Sequence, residues 1–313
     1  MSEVSIEASV IMSIYNETVE EMLVSINSIV NQTFKNIEVI LINDNPKRKK
    51  EIKEALSELL TNNKLFKLYH NETNIGLAMS MNRAADLAKS EILIRMDADD
   101  ICEEERFGII INEIYDHQLD LVCSRYSFVD ENGNDMGKVS PYYADETICE
   151  KLQKWNVIHH PTVVMRKEIF IKAGKYRDFP CSQDYDLWLR MSEITSRIRM
   201  VDNVLLKYRV RANSISSQKS MQQLYTIEYI KKLAKERRKN GNDSYSIENY
   251  QNYLRKNGVF DEKRKRAFER HNLLHKQAQK EMKNGNKIIG LWHYAKAILG
   301  EKVLFKQMLE RKF

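Results

Sequence analysis

The sequence has few of the residues that mark several common classes of protein. Its four cysteines are far apart and form no Cys-x-x-Cys pair, which argues against a zinc ribbon and against a disulfide framework. No apolar run approaches the ~20 residues of a membrane-spanning helix. The first residues, MSEVSIEAS, lack the basic region and the apolar core of a signal peptide. We therefore expect reduced, partly buried thiols in a cytoplasmic protein.

Proline and charge are distributed unevenly along the 313 residues. All four prolines precede residue 219, whereas residues 219–313 contain 23 Lys and Arg against 10 Asp and Glu. The remainder has 27 basic and 34 acidic residues, so the net charge of +6 hides an acidic part and a basic part. We predict a domain over residues 1–216 and a basic helical region over residues 217–313.

Apolar, β-branched stretches alternate with amphipathic stretches in residues 1–100. The pattern predicts strands over Val10–Tyr15, Ile37–Ile42, Leu65–Tyr69 and Glu91–Met96, and helices over 18–32, 46–60 and 76–89. This alternation is typical of an α/β fold with a mostly parallel, Rossmann-like sheet flanked by helices. In such sheets ligands bind beyond the carboxyl ends of the strands.

Residues 101–216 follow a less regular pattern. We predict a hairpin turn over 130–135, a short strand after His159–Pro161, a helix that begins near Ser182, and extended backbone over 198–210. From about Ser214 onward the pattern is helical.

Three carboxylates follow the predicted strand that ends at Met96. Asp97 and Asp99 can face the same side, because side chains alternate in extended backbone, and Asp100 comes next. Two oxygen ligands on one side suit Mg²⁺ or Mn²⁺, and such a cation commonly carries a diphosphate. A helix cap is the alternative, since an amphipathic stretch follows at once. These residues alone leave both interpretations open.

Other polar residues fall at the ends of neighbouring strands. Asn16 and Glu17 follow the first predicted strand, and Asp44 follows the second. Because the carboxyl ends of parallel strands share one edge, their coincidence with the acids after Met96 favours a nucleotide site over scattered caps. For Asp44, the alternative is a turn residue before Pro46.

Four segments carry a resemblance to a known family: ASVIMSIYNE, SINSIVNQTFKNIEVILINDN, NETNIGLAMSMNRAADLAKSEILIRMDADD and SQDYDLWLRM. They resemble the family-2 inverting glycosyltransferases that have the A-type nucleotide-diphospho-sugar transferase fold, of the bacterial O-antigen and capsule type. The likeness covers roughly residues 7–216. It implies a nucleotide-sugar half over about 1–100 and an acceptor half over about 101–216. The implied reaction moves one sugar from a UDP-hexose or UDP-N-acetylhexosamine to a hydroxyl of a growing, lipid-linked surface polysaccharide.

The resemblance also implies roles for single residues. Donor-binding roles fall on Tyr15 and Glu17 (uracil and ribose), Asp44 (imide N–H), Asn74 and Gly76 (the loop beside the base), Asn82 (the helix behind it) and His160 (donor sugar and acceptor). Asp99 would bind Mn²⁺ or Mg²⁺ directly, with Asp97 near the ribose or a cation-bound water. Asp184 would be the catalytic base. On the residues alone, Asp184 could instead cap a helix, His159 and His160 could be ordinary loop histidines, and Asp186 is a rival base.

The chain departs from the family pattern at three places. Asn43 stands before Asp44 where the family usually has two acids. Gln183 replaces a glutamate before the implied base, from which we expect a changed pKa or a changed acceptor contact. Arg211 replaces the histidine of a Tyr-Arg-x-His segment, so a cation ligand is lost while a phosphate-binding guanidinium is gained.

The C-terminal region has an amphipathic stretch flanked by Lys and Arg. Its apolar residues on one helical face are Ile288, Leu291, Trp292, Ala295, Ile298 and Leu299. A basic amphipathic helix with tryptophan can lie on an anionic membrane, and acceptors of this family are often polyprenyl-diphosphate-linked sugars. We expect peripheral attachment at the inner face of the plasma membrane. A helical bundle with a solvated basic face and a homodimer interface are the alternatives.

Two other classes of protein compete with the glycosyltransferase. A nucleic-acid-binding protein would explain the basic region, but it predicts interleaved aromatics and has no need of strand-end acids that repel phosphate. A non-catalytic transferase-like domain carrying that region is a variant of this alternative. A nucleotidyltransferase would want a Gly-rich phosphate loop after the first strand, where MSIYNE has an acid. We therefore expect no nucleic-acid partner.

Overall fold

The computed structural model describes residues 6–211 and 220–300. The chain divides into two compact units, Met1–Ala212 and Asn213–Phe313. The predicted boundary between residues 216 and 217 lies outside the described residues, and so does the end of the predicted amphipathic stretch, residues 301–313.

The first unit is built on one sheet with helices packed against it. Its strands are β1 (Ala8–Ile14), β2 (Ile37–Asn43), β3 (Phe66–His70), β4 (Ile92–Asp97), β5 (Ile101–Cys102), β6 (Leu121–Val129), β7 (Asp135–Val139), β8 (Val164–Arg166) and β9 (Ile198–Arg209). Their order is β3-β2-β1-β4-β8-β6-β9-β5, and β7 pairs with β6. Strands β3, β2, β1 and β4 run parallel to one another, and β6 runs parallel to β9. Strands β8, β7 and β5 pair antiparallel with their neighbours. The α/β prediction is confirmed.

Eight helices of the described residues accompany this sheet. They are α1 (Val19–Val30), α2 (Lys49–Ala55), α3 (Ser57–Asn62), α4 (Gly76–Leu87), α5 (Arg106–Asp116), α6 (Asp145–Leu152), α7 (Lys167–Lys172) and α8 (Gln183–Ser192). The predicted strands, the hairpin turn and the helix near Ser182 are present. The helix predicted over 46–60 differs, because a 3-10 turn at Pro46–Arg48 precedes two short helices that are separated at Leu56. Leu56 has non-helical backbone angles and is fully buried.

The strand register brings the carboxyl ends of four strands to one edge of the sheet. In the parallel pairs, Ile14 lies opposite Asn43, Ser13 opposite Asp97, and Asn43 opposite His70. The residues of β1, β2 and β4 behind this edge are almost entirely buried on both faces, as expected of the central strands of a parallel sheet covered by helices, whereas β3 is partly buried. We call this edge, formed by the residues that follow β1 to β4, the carboxyl edge.

Helix α1 begins at the carboxyl edge with a capping box. The Thr18 hydroxyl accepts a hydrogen bond from the Glu21 backbone N–H at 3.1 Å, and Glu21 Oε2 accepts one from the Thr18 N–H at 2.8 Å. The buried face of the helix contains Met22, Ile26 and Ile29 at helical spacing. The Glu21 carboxylate is thereby fixed beside the end of β1.

The last strand returns to the same edge from the other half of the sheet. Strand β9 pairs antiparallel with the two-residue β5, with Cys102 opposite Leu206. The Arg209 backbone N–H donates to Asp100 Oδ1 at 3.0 Å, and Arg209 Nε donates to the Asp99 carbonyl at 2.9 Å. The end of β9 is therefore held against the residues that follow β4.

The second unit is helical, as predicted. Its described helices are α9 (Ser220–Asn240), α10 (Ile247–Lys256), α11 (Glu262–Lys283) and α12 (Lys287–Gly300). Tyr229, Tyr250 and Phe268 are buried in this unit. Among the helices of both described ranges, none has the length and hydropathy needed to span a bilayer. Of the four cysteines, Cys102, Cys123 and Cys181 are buried and Cys149 is partly exposed.

Candidate active site

Three carboxylates lie together where β4 ends. Ligand-type oxygens of Asp97, Asp99 and Asp100 are within 4.8 Å of one another. Burial, and then the charge of Asp97, raise the pKa of Asp99 to about 7. Burial, followed by the charges of both neighbours, raises the pKa of Asp100 well above its usual value. Such crowding of like charges is relieved by a bound cation.

The donor set fits a hard divalent cation. Mg²⁺ and Mn²⁺ prefer carboxylate oxygens, and Asp97 and Asp99 both keep part of their surface exposed. The helix-cap alternative is wrong, because the next helix, α5, begins only at Arg106 and has Glu105 as its N-cap. The short strand β5 separates the acids from that helix.

Arginines pair with both of the partly exposed acids. Arg95, itself almost fully buried in β4, has its Nη2 2.5 Å from Asp97 Oδ1. Arg211 has its Nη2 3.1 Å from Asp99 Oδ2 and 3.1 Å from Glu21 Oε2. The acidic cluster is therefore partly neutralised by the chain's own guanidinium groups.

The predicted nucleoside residues after β1 form a tight turn. The Tyr15 ring is exposed, and its backbone N–H donates to Glu17 Oε2 at 2.7 Å. Burial raises the pKa of Glu17. The Tyr15 carbonyl accepts from Arg48 Nη1 at 3.0 Å and from Asn45 Nδ2 at 3.2 Å. These bonds tie the turn to the end of β2.

Asp44 holds the loop that leads into α4. Its Oδ1 accepts from Asn71 Nδ2 at 2.7 Å and from the Ile75 N–H at 2.9 Å, while its Oδ2 accepts from the Gly76 N–H at 2.9 Å. Gly76 has φ +81°, a conformation that favours glycine, and it also donates to Asn74 Oδ1 at 2.9 Å. Since a carboxylate oxygen has two lone pairs, Oδ2 keeps the capacity to accept from a nucleobase N–H.

Asn82 and His160 both contact Tyr176. The Asn82 amide exchanges two hydrogen bonds with the Tyr176 backbone, at 2.9 and 3.0 Å. His160 is 8% exposed, its Nε2 lies 2.7 Å from Tyr176 Oη, and its ring meets Trp188 edge-on. Trp188 is fully buried, as expected of a core residue. In this arrangement Asn82 and His160 join α4, the 3-10 turn at His160–Thr162 and α8.

Asp184 lies in the first turn of α8 and is partly exposed. Its Oδ2 accepts a hydrogen bond from Asn156 Nδ2 at 2.8 Å. Burial raises the pKa of Asp184, and this hydrogen bond opposes the rise. The rival, Asp186, is fully buried and accepts from Arg190 Nε at 2.9 Å and Nη2 at 2.7 Å. Of the two acids, Asp184 is the one that solvent reaches.

A cavity of about 200 Å³ adjoins Asn156. Its lining consists of Ser124, Tyr126, Ser140, Pro141, Tyr143, Asn156, Val157, His159 and Met200. The His159 ring stacks on Tyr126 with centroids 4.2 Å apart and meets Tyr208 edge-on at 4.6 Å. Burial lowers the pKa of His159 to about 4, so its imidazole is neutral at physiological pH. Aromatic walls and polar groups next to Asp184 suit a sugar ring.

The comparisons with known proteins identify the family. Residues 9–174 match the family described as Glycosyl transferase family 2. An uncharacterized glycosyltransferase of Methanocaldococcus jannaschii is 33% identical over 225 residues, which cover 70% of this chain and 76% of that protein. The O-antigen biosynthesis glycosyltransferase WbnJ of Escherichia coli is 33% identical, covering 68% and 82%. The amylovoran biosynthesis glycosyltransferase AmsE of Erwinia amylovora is 29% identical, covering 70% and 84%. This chain belongs to glycosyl transferase family 2 and is a glycosyltransferase.

The fold is similar to that of solved structures. Residues 1–349 of TarS from Staphylococcus aureus, in complex with UDP-GlcNAc, superimpose with a TM-score of 0.58 at 19% identity. The match covers 97% of this chain and 90% of that one. The predicted A-type glycosyltransferase fold is confirmed.

No role was assigned from the sequence to four residues that surround the site: Arg95, Asp100, Asn156 and His159. Arg95 carried a signal, because a charged residue inside a buried strand needs a partner and Asp97 is two residues further on the same face. Asp100 and His159 each stand next to a residue that was chosen. No pattern in the sequence marked Asn156, whose role depends on the approach of two distant segments.

The Asn156→Ala substitution tests the link to Asp184. Loss of the Asn156 hydrogen bond removes an interaction that favours the charged carboxylate, so the pKa of Asp184 rises further. A base works only when deprotonated, so the acidic limb of the pH profile of kcat/KM should move to higher pH. Lys154→Ala, an exposed change in the same segment, is the control. An unshifted acidic limb in Asn156→Ala would contradict Asp184 as the base.

Proposed function

We propose that this glycosyltransferase is a metal-dependent, inverting, non-processive enzyme that moves one sugar from a UDP-hexose or UDP-N-acetylhexosamine to a saccharide hydroxyl. The observation that carries the proposal is the carboxylate cluster at the carboxyl edge, beside the polar turns that follow β1 and β2. The names of WbnJ and AmsE refer to O-antigen and amylovoran biosynthesis, and TarS has been solved with UDP-GlcNAc. They support a role in building a surface polysaccharide.

The donor nucleoside would lie on the turns of the carboxyl edge. The exposed Tyr15 ring offers a stacking surface, and Glu17 lies two residues further in the same turn. Asp44 Oδ2 would accept the imide N–H of uracil while Oδ1 keeps the loop to Gly76 in place. Asn74, whose Oδ1 accepts from the Gly76 N–H, is exposed in that loop and could contact the base.

The donor diphosphate would lie beside the acids. Asp99, with Asp97 beside it, would hold Mn²⁺ or Mg²⁺, which when bound neutralises charge on the diphosphate leaving group. Arg95 balances Asp97 from the buried side of β4. The same guanidinium lowers the pKa of Asp184, against the larger effect of burial, and so favours its ionised form.

Asp184 would act as the general base. As the acceptor oxygen forms its bond to the anomeric carbon, the bond from that carbon to the diphosphate oxygen breaks, and the hydroxyl proton passes to the Asp184 carboxylate. Asn156 positions this carboxylate through Oδ2. A single displacement of this kind inverts the anomeric configuration.

The acceptor sugar would enter the cavity that Asn156 and His159 line. The neutral His159 ring, stacked on Tyr126, can accept or donate a hydrogen bond without adding charge near the base. The Ser124 side chain and the Tyr143 ring complete a lining of mixed polarity. Such a lining recognises hydroxyl groups and one apolar sugar face.

The Asp99→Ala substitution tests the donor site. We expect wild-type protein with Mn²⁺ to hydrolyse slowly one donor out of a panel of nucleotide sugars. The rate of Asp99→Ala should be lower by about 100-fold or more, because the leaving group is no longer stabilised. Release of free nucleotide is measured. Asp116→Asn, which alters an exposed acid at the end of α5, should behave as wild type. Metal-independent turnover at the wild-type rate in Asp99→Ala would contradict the proposal.

The C-terminal unit would attach the enzyme to an anionic membrane at the cytoplasmic face. On α12, Ile288 is 85% exposed, Leu291 57% and Trp292 53%, although apolar side chains of this size are usually covered. Residues 219–313 carry 13 more basic than acidic residues, which complements anionic lipid headgroups. The side chains of the predicted Ile298 and Leu299 lie outside the described residues. This placement would bring the enzyme to a polyprenyl-diphosphate-linked acceptor.

Vesicle flotation tests the membrane proposal. Wild-type protein should float with phosphatidylglycerol vesicles, remain free with phosphatidylcholine vesicles, and detach at high salt. Leu291→Glu with Trp292→Glu should abolish flotation, because two charges enter the apolar face. Leu273→Glu is the control, since Leu273 on α11 is as exposed as Leu291. If the double variant floats like wild type, the proposed contact between α12 and the membrane is wrong. If light scattering instead shows that the variant dissociates a wild-type dimer, α12 is a subunit interface.

A further inference from the structure

Arg211 pairs with Asp99, the acid that would hold the cation in the proposed function. Its Nη2 lies 3.1 Å from Asp99 Oδ2 and 3.1 Å from Glu21 Oε2, and 24% of its side chain is exposed. Glu21 Oε2 is itself fixed by the capping box, since it accepts from the Thr18 N–H and hydroxyl at 2.8 and 2.9 Å. The guanidinium thus bridges the end of β4 and the start of α1.

The backbone delivers Arg211 to this position. Two residues earlier, Arg209 is bound through its N–H to Asp100 and through its Nε to the Asp99 carbonyl. Arg209 Nη1 also donates to the Glu131 carbonyl at 2.7 Å, which anchors the strand end to the β6–β7 hairpin. The hydrogen bonds of Arg209 therefore fix the backbone that places Arg211 next to Asp99.

The two arginines that face the acids differ in their freedom. Arg95 is 1% exposed inside β4, so breaking its pair with Asp97 would leave a buried charge without that partner. Arg211 lies beyond the end of β9 and is partly exposed, so its long side chain can change partner without unfolding a strand. Only the Asp99 pair is thus open to exchange.

A guanidinium and a divalent cation cannot both hold Asp99 closely without repulsion. The two positive charges would compete for the same carboxylate and repel each other across a few ångströms. A diphosphate removes this conflict, because its oxygens bind the cation on one side and a planar guanidinium on the other.

We propose that Arg211 couples the binding of the divalent cation to the binding of the donor diphosphate, an inference that rests on the proposed function. Without donor, Arg211 neutralises Asp99 and weakens binding of the cation alone. When the diphosphate arrives with the cation, the guanidinium transfers from Asp99 to a phosphate oxygen. By linkage, cation and diphosphate then strengthen each other's binding by the same factor.

The binding of Mn²⁺ to the full-length protein, followed by the electron paramagnetic resonance of the free ion, tests this coupling without and with UDP. Wild-type protein should bind Mn²⁺ weakly alone and much more tightly with UDP. Arg211→Ala should bind Mn²⁺ alone on the order of tenfold more tightly, and UDP should then strengthen binding less. Arg211→Lys, which keeps the charge, should stay near wild type.

Lys207→Ala is the matched control, because it also removes one positive charge from this part of the chain, but from a pair between Lys207 Nζ and Glu103 Oε1 at 3.2 Å. Circular dichroism and thermal unfolding establish that each variant is folded. An Arg211→Ala affinity for Mn²⁺ alone that is unchanged within twofold, or weaker, overturns the inference while the proposed function stands if UDP and Mn²⁺ still bind wild type together. If wild type binds neither, both fall.

Discussion

The mutual repulsion of the carboxylates at the end of β4 is the constraint on which the site depends. Three acids whose ligand oxygens lie within 4.8 Å cannot all remain charged in partly buried surroundings unless positive charge is close. The chain supplies part of it through Arg95 and Arg211, and the rest must come from protons or from a bound cation. A carboxylate cluster whose charges repel one another, and whose oxygens are partly exposed, is well suited to binding a cation together with a diphosphate.

The sheet explains how this charge is assembled. Parallel register places the ends of β1, β2 and β4 at one edge, so the acids meet the turns that follow Ile14 and Asn43. The antiparallel pairing of β9 with β5 then returns the chain to the same edge and adds Arg209 and Arg211. One half of the sheet thereby contributes the acids, the polar turns and Arg95, and the return of β9 adds the second balancing guanidinium, Arg211.

The groups around Asp184, where we propose that the acceptor binds, are mostly neutral. Asn156, His159 and Tyr126 approach Asp184 or the cavity beside it without adding formal charge. His159 is neutral because burial lowers its pKa to about 4. Under the proposed mechanism, a neutral His159 adds no positive charge near the base, whereas the Arg95 guanidinium favours the ionised form of Asp184.

Local patterns predicted most of the fold, and they marked more of the polar residues at the carboxyl edge than of those around Asp184. The strands and helices before Asp97 obey simple periodicity, and the acids stand out because they follow an apolar run. The break at Leu56 was not predicted, because Ile52 and Leu56 are both buried at helical spacing and the apolar pattern continues through the break without a proline or glycine to mark it. Asn156 was missed because its position depends on long-range packing.

Arg211 shows the same limit from another side. The sequence marked it as a departure from a family segment and suggested a guanidinium for phosphate. Its pairing with Asp99 and Glu21 depends on the return of β9, which no local pattern encodes. The sequence motif identified Arg211, and the tertiary structure was needed to show that its partners are Asp99 and Glu21.

A crystal structure of the full-length protein with Mn²⁺ and UDP, recorded with anomalous scattering at the manganese edge, tests the central claim most directly. The account predicts one strong anomalous peak at direct coordination distance from a carboxylate oxygen of Asp99, next to the diphosphate, with uracil beside Asp44. UDP bound with no anomalous peak near Asp97 and Asp99, or manganese bound elsewhere on the chain, would contradict it.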